Sequence, residues 1–172
     1  MAVDEGGALA PVPVSASRTV RSELVFPNDA NPAGNIFGGR VLMLMDVVGA
    51  IAARRHSRRQ VVTAEIDSVD FLRPIRVGEC IELVAEVSAV GRTSMEVEVH
   101  AYVEDLFTGR HAVSATAYLT YVALDEGGRP TPVPPLLCET EGQRARMREA
   151  EARRAERLAR RRRRAGGEGS GT

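Results

Sequence analysis

The fold is decided by residues 38–56, which read Gly38-Gly39-Arg40-Val41-Leu42-Met43-Leu44-Met45-Asp46-Val47-Val48-Gly49-Ala50-Ile51-Ala52-Ala53-Arg54-Arg55-His56. This stretch is long, rich in Leu, Met and Ala, and free of proline, which predicts a helix rather than a strand. The helix is apolar around almost its whole circumference. We therefore expect it to run through a core or an interface rather than across a surface.

Asp46 interrupts this apolar helix. Burying an unpaired carboxylate costs several kcal/mol, so such a residue is normally paired, protonated or used in chemistry. At helical spacing it shares a face with Gly39, Gly49, Ala50 and Ala53. These small neighbours predict room beside the acid for another subunit or for a substrate. A purely structural acid that pairs across a dimer is the alternative.

Strand-like runs lie on both sides of the helix. Residues 20–26 precede it, and residues 61–71, 80–90, 93–103 and 111–123 follow it. The run 93–103 alternates apolar and polar residues, which predicts one face in the core and one in water. Because the connections are short, successive strands should pair antiparallel. These elements predict an α+β fold, in which a curved antiparallel sheet wraps a long central helix.

The length of 172 residues and a hydrophobic content of 44% fit one domain with flexible ends. We expect a disordered leader over residues 1–18, the domain over residues 19–137, and an Arg-rich charged tail, helical or disordered, over residues 138–172. The tail has almost no apolar face, so we expect a solvated segment whose removal leaves the domain intact. Binding of anionic lipid or nucleic acid by arginines 160–164 is the alternative.

Charge and cysteine content limit the possible partners. Residues 1–138 hold 12 arginines against 17 acidic residues, and residues 139–172 hold 11 against 6. An acidic body argues against a nucleic-acid-binding core. Cys80 and Cys138 give neither a disulfide framework nor a metal-binding spacing. The longest apolar run is too short and too charged for a membrane span. We expect a cytoplasmic protein with no metal and no other cofactor.

The usual catalytic signatures are missing. The sequence has no Gly-x-Ser-x-Gly elbow, no His-Glu-x-x-His motif, no Cys/His cluster and no dinucleotide fingerprint. His56, His100 and His111 are poorly placed for a catalytic triad, and we expect each to be exposed to solvent. Any chemistry must therefore use a carboxylate, amides and backbone donors.

Several spaced segments carry a family resemblance: residues 27–39, 45–46, 61–63, 71–79 and 91–97. Together they closely resemble the motifs of hotdog-fold acyl-CoA thioester hydrolases, and the resemblance covers residues 19–134. It implies a long helix cradled by a bent antiparallel sheet, in dimers that usually assemble further, here as a trimer of dimers. It also implies cleavage of acyl-coenzyme A, with Asn31 and Asp46 matching the catalytic pair.

The chemistry is consistent with this resemblance. Thioester hydrolysis needs an activated water or a nucleophile, and donors aimed at the oxyanion. Asp46 can be base or nucleophile, Asn31 can orient water or polarise the carbonyl, and the amides of Gly38 and Gly39 form an oxyanion site at the helix start. Gly39 and Asp46 are seven residues apart, or ~10 Å along a helix. We therefore adopt the family's arrangement as a hypothesis: the helix start of one subunit faces the Asp46 of the other.

Coenzyme A carries phosphates and a long pantetheine arm, so its site needs arginines, backbone donors and an extended groove. The candidates lie in turns at strand ends: Arg73, Arg76, Arg92, Thr93 and Ser94. For each arginine a simple surface role is the alternative. Thr63 and Phe71 are candidates for lining the groove, although a core role in a strand is favoured for both.

Two other functions stay open. A non-catalytic acyl-CoA or lipid sensor would keep the pocket and use the basic tail for a partner. A hotdog dehydratase would need a catalytic histidine near the loop, and none is present there. Turnover distinguishes the enzyme from the sensor.

Overall fold

The structure, a computed structural model, describes residues 9–167. Its elements in chain order are β1 (Val12–Pro13), α1 (Val14–Ser17), β2 (Thr19–Leu24), α2 (Gly38–Ser57), β3 (Gln60–Phe71), β4 (Cys80–Val90), β5 (Ser94–Asp105), β6 (Arg110–Leu124), β7 (Leu136–Leu137) and α3 (Glu141–Gly167). The long helix and the five main strands lie where the sequence pattern predicts them. The predicted α+β hotdog fold is confirmed.

The main sheet is antiparallel, with strand order β2-β4-β5-β6-β3. Pairing of successive strands is correct for β4 with β5 and for β5 with β6. It is wrong for β3 and β4, because β3 pairs with β6 at one edge and β4 pairs with β2 near the other. The connection between them follows the loop that precedes α2, where Ile36 N donates to Ile75 O at 2.8 Å. The chain crosses to the other side of the sheet in this connection, and β3 is an edge strand.

One side of α2 packs on the concave face of the sheet. Leu44, Met45, Val48 and Ala52 are almost fully buried in this core. On the sheet side the core is completed by Leu83, Val97, Val99 and Leu119, which alternate along their strands. This packing fixes the direction in which the rest of α2 points.

The other side of α2 is uncovered and apolar. Met43, Val47 and Ile51 repeat every four residues and are 47%, 39% and 39% exposed. Ile66, which is 39% exposed and pairs with the core residue Leu119, extends this surface onto the edge strand β3. A long edge strand beside an exposed apolar stripe is typical of an interface rather than of a solvated surface. The expectation that α2 runs through a core is confirmed for its buried side, and an interface on its exposed side stays a prediction.

The predicted disordered leader is wrong for residues 12–17, and residues 1–8 lie outside the described part. β1 pairs parallel with β7, and Val14 and Ser17 are buried. The Ser17 hydroxyl accepts a hydrogen bond from Val87 N at 3.0 Å, which ties α1 to β4. The sequence hides this order because the pairing partner lies more than 120 residues away.

The tail is also packed, which contradicts the expected solvated segment. Helix α3 lies on the convex face of the sheet, with Ala150 fully buried and Arg157 only 6% exposed. Glu96, which alternation placed on a wet face, is 4% exposed beneath it. Arg157 donates to Glu96 Oε2 at 2.6 Å and to Asp67 Oδ2 at 3.1 Å. Helix α3 packs on the sheet without an apolar stripe because its arginines pair with carboxylates of the sheet.

Two further arginines extend this ionic contact. Arg153 donates twice to Glu96 Oε1, at 3.1 and 2.8 Å, and lies 3.7 Å from the centre of the Tyr118 ring. Arg160, one of the arginines considered for lipid or nucleic acid, instead pairs with Asp67. Desolvation opposes ionisation of Asp67, but the hydrogen bonds from Arg160 and Arg157 outweigh it and lower its pKa.

We expect Arg157→Met to destabilise the fold by about 3 kcal/mol, because removing one partner leaves buried carboxylates only partly compensated. Urea unfolding at fixed protein concentration measures this. Arg148→Met is the matched control, since Arg148 pairs only with the exposed Glu141 in the described residues, and should change stability by less than about 0.5 kcal/mol. Equal stability of the two variants would mean that α3 does not hold the sheet.

Two of the three histidines differ from the expected exposure to solvent. His56 is fully buried, with Nε2 at 2.9 Å from the carbonyl oxygen of Pro134. Desolvation lowers its pKa, against the opposing effect of that hydrogen bond. His111 is exposed as predicted, whereas His100 is half-buried between Glu98 and Thr116. None of these rings lies next to Asp46, which keeps histidine out of the candidate site.

Candidate active site

Asp46 lies where two strand hydroxyls reach α2. Thr63 Oγ1 donates to Asp46 Oδ1 at 2.7 Å, and Tyr121 Oη lies 3.1 Å from the same oxygen and 2.8 Å from the Asp46 carbonyl oxygen. Thr63 and Tyr121 are directly paired across β3 and β6. Sheet register therefore presents both hydroxyls to one carboxylate oxygen, while Oδ2 has no hydrogen-bond partner among residues 9–167.

Gly49, nearly one turn after Asp46, makes room for the tyrosine. A Cβ at this position would lie 2.5 Å from Tyr121 Oη, closer than any side chain tolerates. The space predicted at Gly49 for a substrate or a partner is thus filled by the chain's own Tyr121. Desolvation and the nearby charge of Asp46 raise the pKa of Tyr121. The phenol therefore stays protonated and acts as a donor.

Asn31 is fixed by a tight loop. Its Oδ1 accepts from Ala33 N at 2.9 Å and from Asn35 N at 3.3 Å, which is the Asx-turn pattern. An ion pair of 2.9 Å between Arg40 and Asp29 ties the same loop to the first turn of α2. Because the amide oxygen is occupied, the group that Asn31 can offer to a ligand is its NH₂ donor.

The start of α2 opens onto a groove of about 310 Å³, with Asn31, Gly38, Phe71 and Arg73 among its lining residues. A Cβ on Gly38 would lie 3.3 Å from Phe71 Cζ, so the ring packs closely over the glycine. A Cβ on Gly39 would meet nothing within 4 Å. In the described residues neither glycine amide has an acceptor, as expected for the first turn of a helix. These amides can receive a developing negative charge.

Thr63 and Phe71 are not core residues, and the core role favoured for them is wrong. Both are exposed in the single chain, because β3 is an edge strand and both contact α2 on its uncovered side. Thr63 contacts the carboxylate and Phe71 the groove. Tyr121 contacts Asp46, and Gly49 makes room for the Tyr121 ring; the sequence pattern alone assigned neither contact. The strand register is what links Tyr121 to Thr63.

The predicted site residues fall into two groups. Asn31, Gly38, Gly39, Phe71, Arg73 and Arg76 lie at one end of β3, with Arg76 paired to Asn35. Asp46 and Thr63 lie towards the other end, where the turn that carries Arg92, Thr93 and Ser94 is also located: Ser94 pairs with Val122, which pairs with Val62. Asp46 follows Gly38 by eight residues, ~12 Å along the helix. A single chain does not bring the two groups together.

The described residues, 9–167, also bear on metal binding and on membrane crossing. Nowhere in this range do three or more His, Cys, Asp or Glu side chains group in a way that could hold a metal ion. None of the helices in the same range is long and apolar enough to cross a membrane.

Comparison with known proteins agrees with this geometry. The model of the thioesterase superfamily matches residues 33–107. The "uncharacterized acyl-CoA thioester hydrolase YkhA" of Bacillus subtilis is 46% identical over 125 residues, which are 73% of each chain. An acyl-CoA hydrolase of Staphylococcus aureus, solved with butyryl coenzyme A, coenzyme A and coenzyme A disulfide, is 39% identical with a TM-score of 0.85. That match covers 91% of this chain and 95% of that one.

An apo-hexameric acyl-CoA thioesterase is 43% identical with a TM-score of 0.86, covering 88% of this chain and 97% of that one. Other structures of the Staphylococcus aureus hydrolase carry alanine in place of one aspartate, one threonine or one asparagine. The chain therefore belongs to the acyl-CoA thioester hydrolases of the thioesterase superfamily, as the motifs in its sequence indicate. It is a thioester hydrolase.

Proposed function

We propose that the protein hydrolyses acyl-coenzyme A to a free fatty acid and coenzyme A, with Asp46 as the general base. The observation that carries this proposal is the asymmetry of the Asp46 carboxylate. Oδ1 takes hydrogen bonds from two hydroxyls, whereas Oδ2 has no partner within the described range. A carboxylate held in this way keeps one oxygen free to take a proton from an attacking water.

The first turn of α2 supplies the complementary electrostatics. The amides of Gly38 and Gly39 lie at the positive end of the helix dipole and stabilise the oxyanion as the water adds to the thioester carbon. Asn31 presents its NH₂ group at the same groove and either polarises the carbonyl or orients the water. The coenzyme A thiolate then leaves, and the fatty acid retains the added oxygen.

The complete site requires two subunits. If two β3 edges pair antiparallel around a two-fold axis, the Phe71 end of one strand meets the Thr63 end of the other. The same symmetry brings the exposed side of α2, with Met43, Val47 and Ile51, against a second copy. Each site then combines Asn31 and the Gly38 amide of one chain with Asp46 of the other. Trimers of such dimers are consistent with the hexameric state named for the related thioesterase.

Residue spacing supports the choice of side chains. In the Staphylococcus aureus hydrolase the substituted asparagine precedes the aspartate by 15 residues, and the threonine follows it by 17. Asn31, Asp46 and Thr63 have the same separations here. The arginines at the two ends of β3, together with Thr93 and Ser94, are the coenzyme A contacts we propose. No metal or redox cofactor takes part in this reaction scheme.

The cytoplasm is the compartment we propose for the reaction. Cys80 is a buried thiol and Cys138 is half-buried, and neither forms a disulfide within the described residues. Burial, with added repulsion from Glu104 and Glu82, raises the pKa of Cys80 and makes it a poor nucleophile. Unpaired, unreactive cysteines suit a reducing environment.

Thiol release from a panel of acyl-coenzyme A esters of increasing chain length tests this function. We expect release of coenzyme A with at least some chain lengths, without added metal and in the presence of a chelator. Tight binding of the esters without any release would instead identify an acyl-coenzyme A sensor on the same scaffold. The panel also identifies the preferred chain length.

A further inference from the structure

The buried hydroxyl of Tyr121 has two acceptors, and both belong to Asp46. Tyr121 Oη lies 2.8 Å from the Asp46 main-chain oxygen and 3.1 Å from Asp46 Oδ1. A phenol donates one proton, which can turn from one acceptor to the other while the ring stays in place. The hydroxyl therefore keeps a hydrogen bond both when the carboxylate is charged and after the carboxylate has taken a proton. A contact that joins the main chain and the side chain of one residue also restricts rotation of that side chain.

Gly49 makes this contact possible at a cost to the helix. It lies in the interior of the 20-residue α2, where glycine is less favourable than alanine because it loses more conformational freedom on folding. An alanine Cβ at this position would lie 2.5 Å from Tyr121 Oη and 3.1 Å from Tyr121 Cε2. The missing side chain at position 49 thus serves the tyrosine, and the two residues form one unit.

The two hydroxyls that contact Asp46 differ in how firmly they are held. Thr63 lies on the edge strand β3 and is exposed in the single chain, and the pairing register of β3 shifts directly after it. Tyr121 lies on the interior strand β6 and is 0% exposed. The core of its own subunit therefore fixes the position of Tyr121, whereas Thr63 lies at an edge that the proposed dimer covers.

We propose that Tyr121 is a positioning residue, which holds Oδ1 of Asp46 so that Oδ2 points towards the attacking water, and that Gly49 gives its hydroxyl the necessary space. This role rests on the proposed function, in which Asp46 is the general base. Tyr121 contacts neither the water nor the thioester in that scheme and acts through Asp46. Burial, with the nearby charge of Asp46, raises the pKa of Tyr121, so its hydroxyl stays a donor. Without that hydroxyl only Thr63 orients the carboxylate, and fewer encounters with water are productive.

Tyr121→Phe removes the hydroxyl and keeps the ring. We expect kcat to fall about tenfold, the scale of one lost hydrogen bond, and KM to stay within about twofold. Added to Asp46→Asn, the same change should lower kcat by less than about twofold, because the group it acts through is already absent. Tyr118→Phe is the matched control. It removes a phenol hydroxyl from the same strand on the other face of the sheet, 3.5 Å from Glu98 Oε1, and should leave kcat unchanged.

Gly49→Ala tests the space for the hydroxyl. Its Cβ takes the place of Tyr121 Oη, so kcat should again fall about tenfold with little change in KM. In the Tyr121→Phe background the closest contact is gone. The alanine should then lower kcat by less than about twofold more, because the two residues act as one unit.

Steady-state kinetics on these variants separates the role of Tyr121 from the proposed function. If the wild type is active and Tyr121→Phe keeps its kcat, the positioning role is overturned and the hydrolase remains. A tenfold loss that persists in full in the Asp46→Asn background also overturns the role, because Tyr121 would then act through the fold. An unchanged kcat in Gly49→Ala overturns the part assigned to Gly49. If the wild type hydrolyses no ester of the panel, the proposed function fails, and this role of Tyr121 fails with it.

Discussion

Asp46→Asn lowers kcat for thioester hydrolysis at least ~100-fold, the usual scale for loss of a general base. The amide keeps the shape of the side chain and still accepts hydrogen bonds from Thr63 and Tyr121 through its oxygen. It no longer has a basic oxygen to accept the proton of the attacking water. Binding of coenzyme A should persist, because the contacts proposed for its phosphates lie in other turns.

Steady-state kinetics with the best ester of the panel, together with calorimetric titration of coenzyme A, measures both parts of this expectation. Glu126→Gln is a matched control, since it neutralises an exposed carboxylate in the connection after β6. It should leave kcat unchanged. If Asp46→Asn stays within a few-fold of the wild type, Asp46 is a structural acid and the catalytic assignment is wrong.

Local patterns predict the elements of this fold well. Proline-free apolar sequence predicted α2, a strand-like run predicted β4 at its observed bounds, and the alternation over residues 93–103 predicted most of β5. The order of the strands in the sheet was harder to predict than the elements themselves. β3 lies beside β6 through the pairing of residues far apart in the sequence, which no local period encodes.

The sequence predicted the site residues that lie within its motifs, but not the site residues that lie outside them. Asn31, Asp46 and the glycines at the start of α2 stand out because of their neighbours in sequence. Tyr121 does not, because its contact with Asp46 depends on a strand 75 residues away. The role of α3 was missed for a related reason. Its partners Glu96 and Asp67 are charged, so the helix shows no apolar face to signal packing.

The second large effect concerns complementation between two inactive variants. Asn31→Ala removes the donor at the groove, and Asp46→Ala removes the base, so each homodimer should be nearly inactive. In a mixed dimer both mutations fall in one site, and the other site keeps Asn31 and Asp46 intact. Refolding the two proteins together at equal amounts forms about half heterodimers by random pairing. Roughly a quarter of the wild-type sites are thereby restored.

The measurement is kcat per subunit after co-refolding, with native mass spectrometry to count heterodimers. Co-refolding Asp46→Ala with Asp46→Asn is the control, because these two variants share the same defect and should recover nothing. The shared-site account predicts recovery of about a quarter of the wild-type activity for the Asn31→Ala and Asp46→Ala mixture. No recovery, with heterodimers present, would place both residues in the site of a single subunit and contradict it.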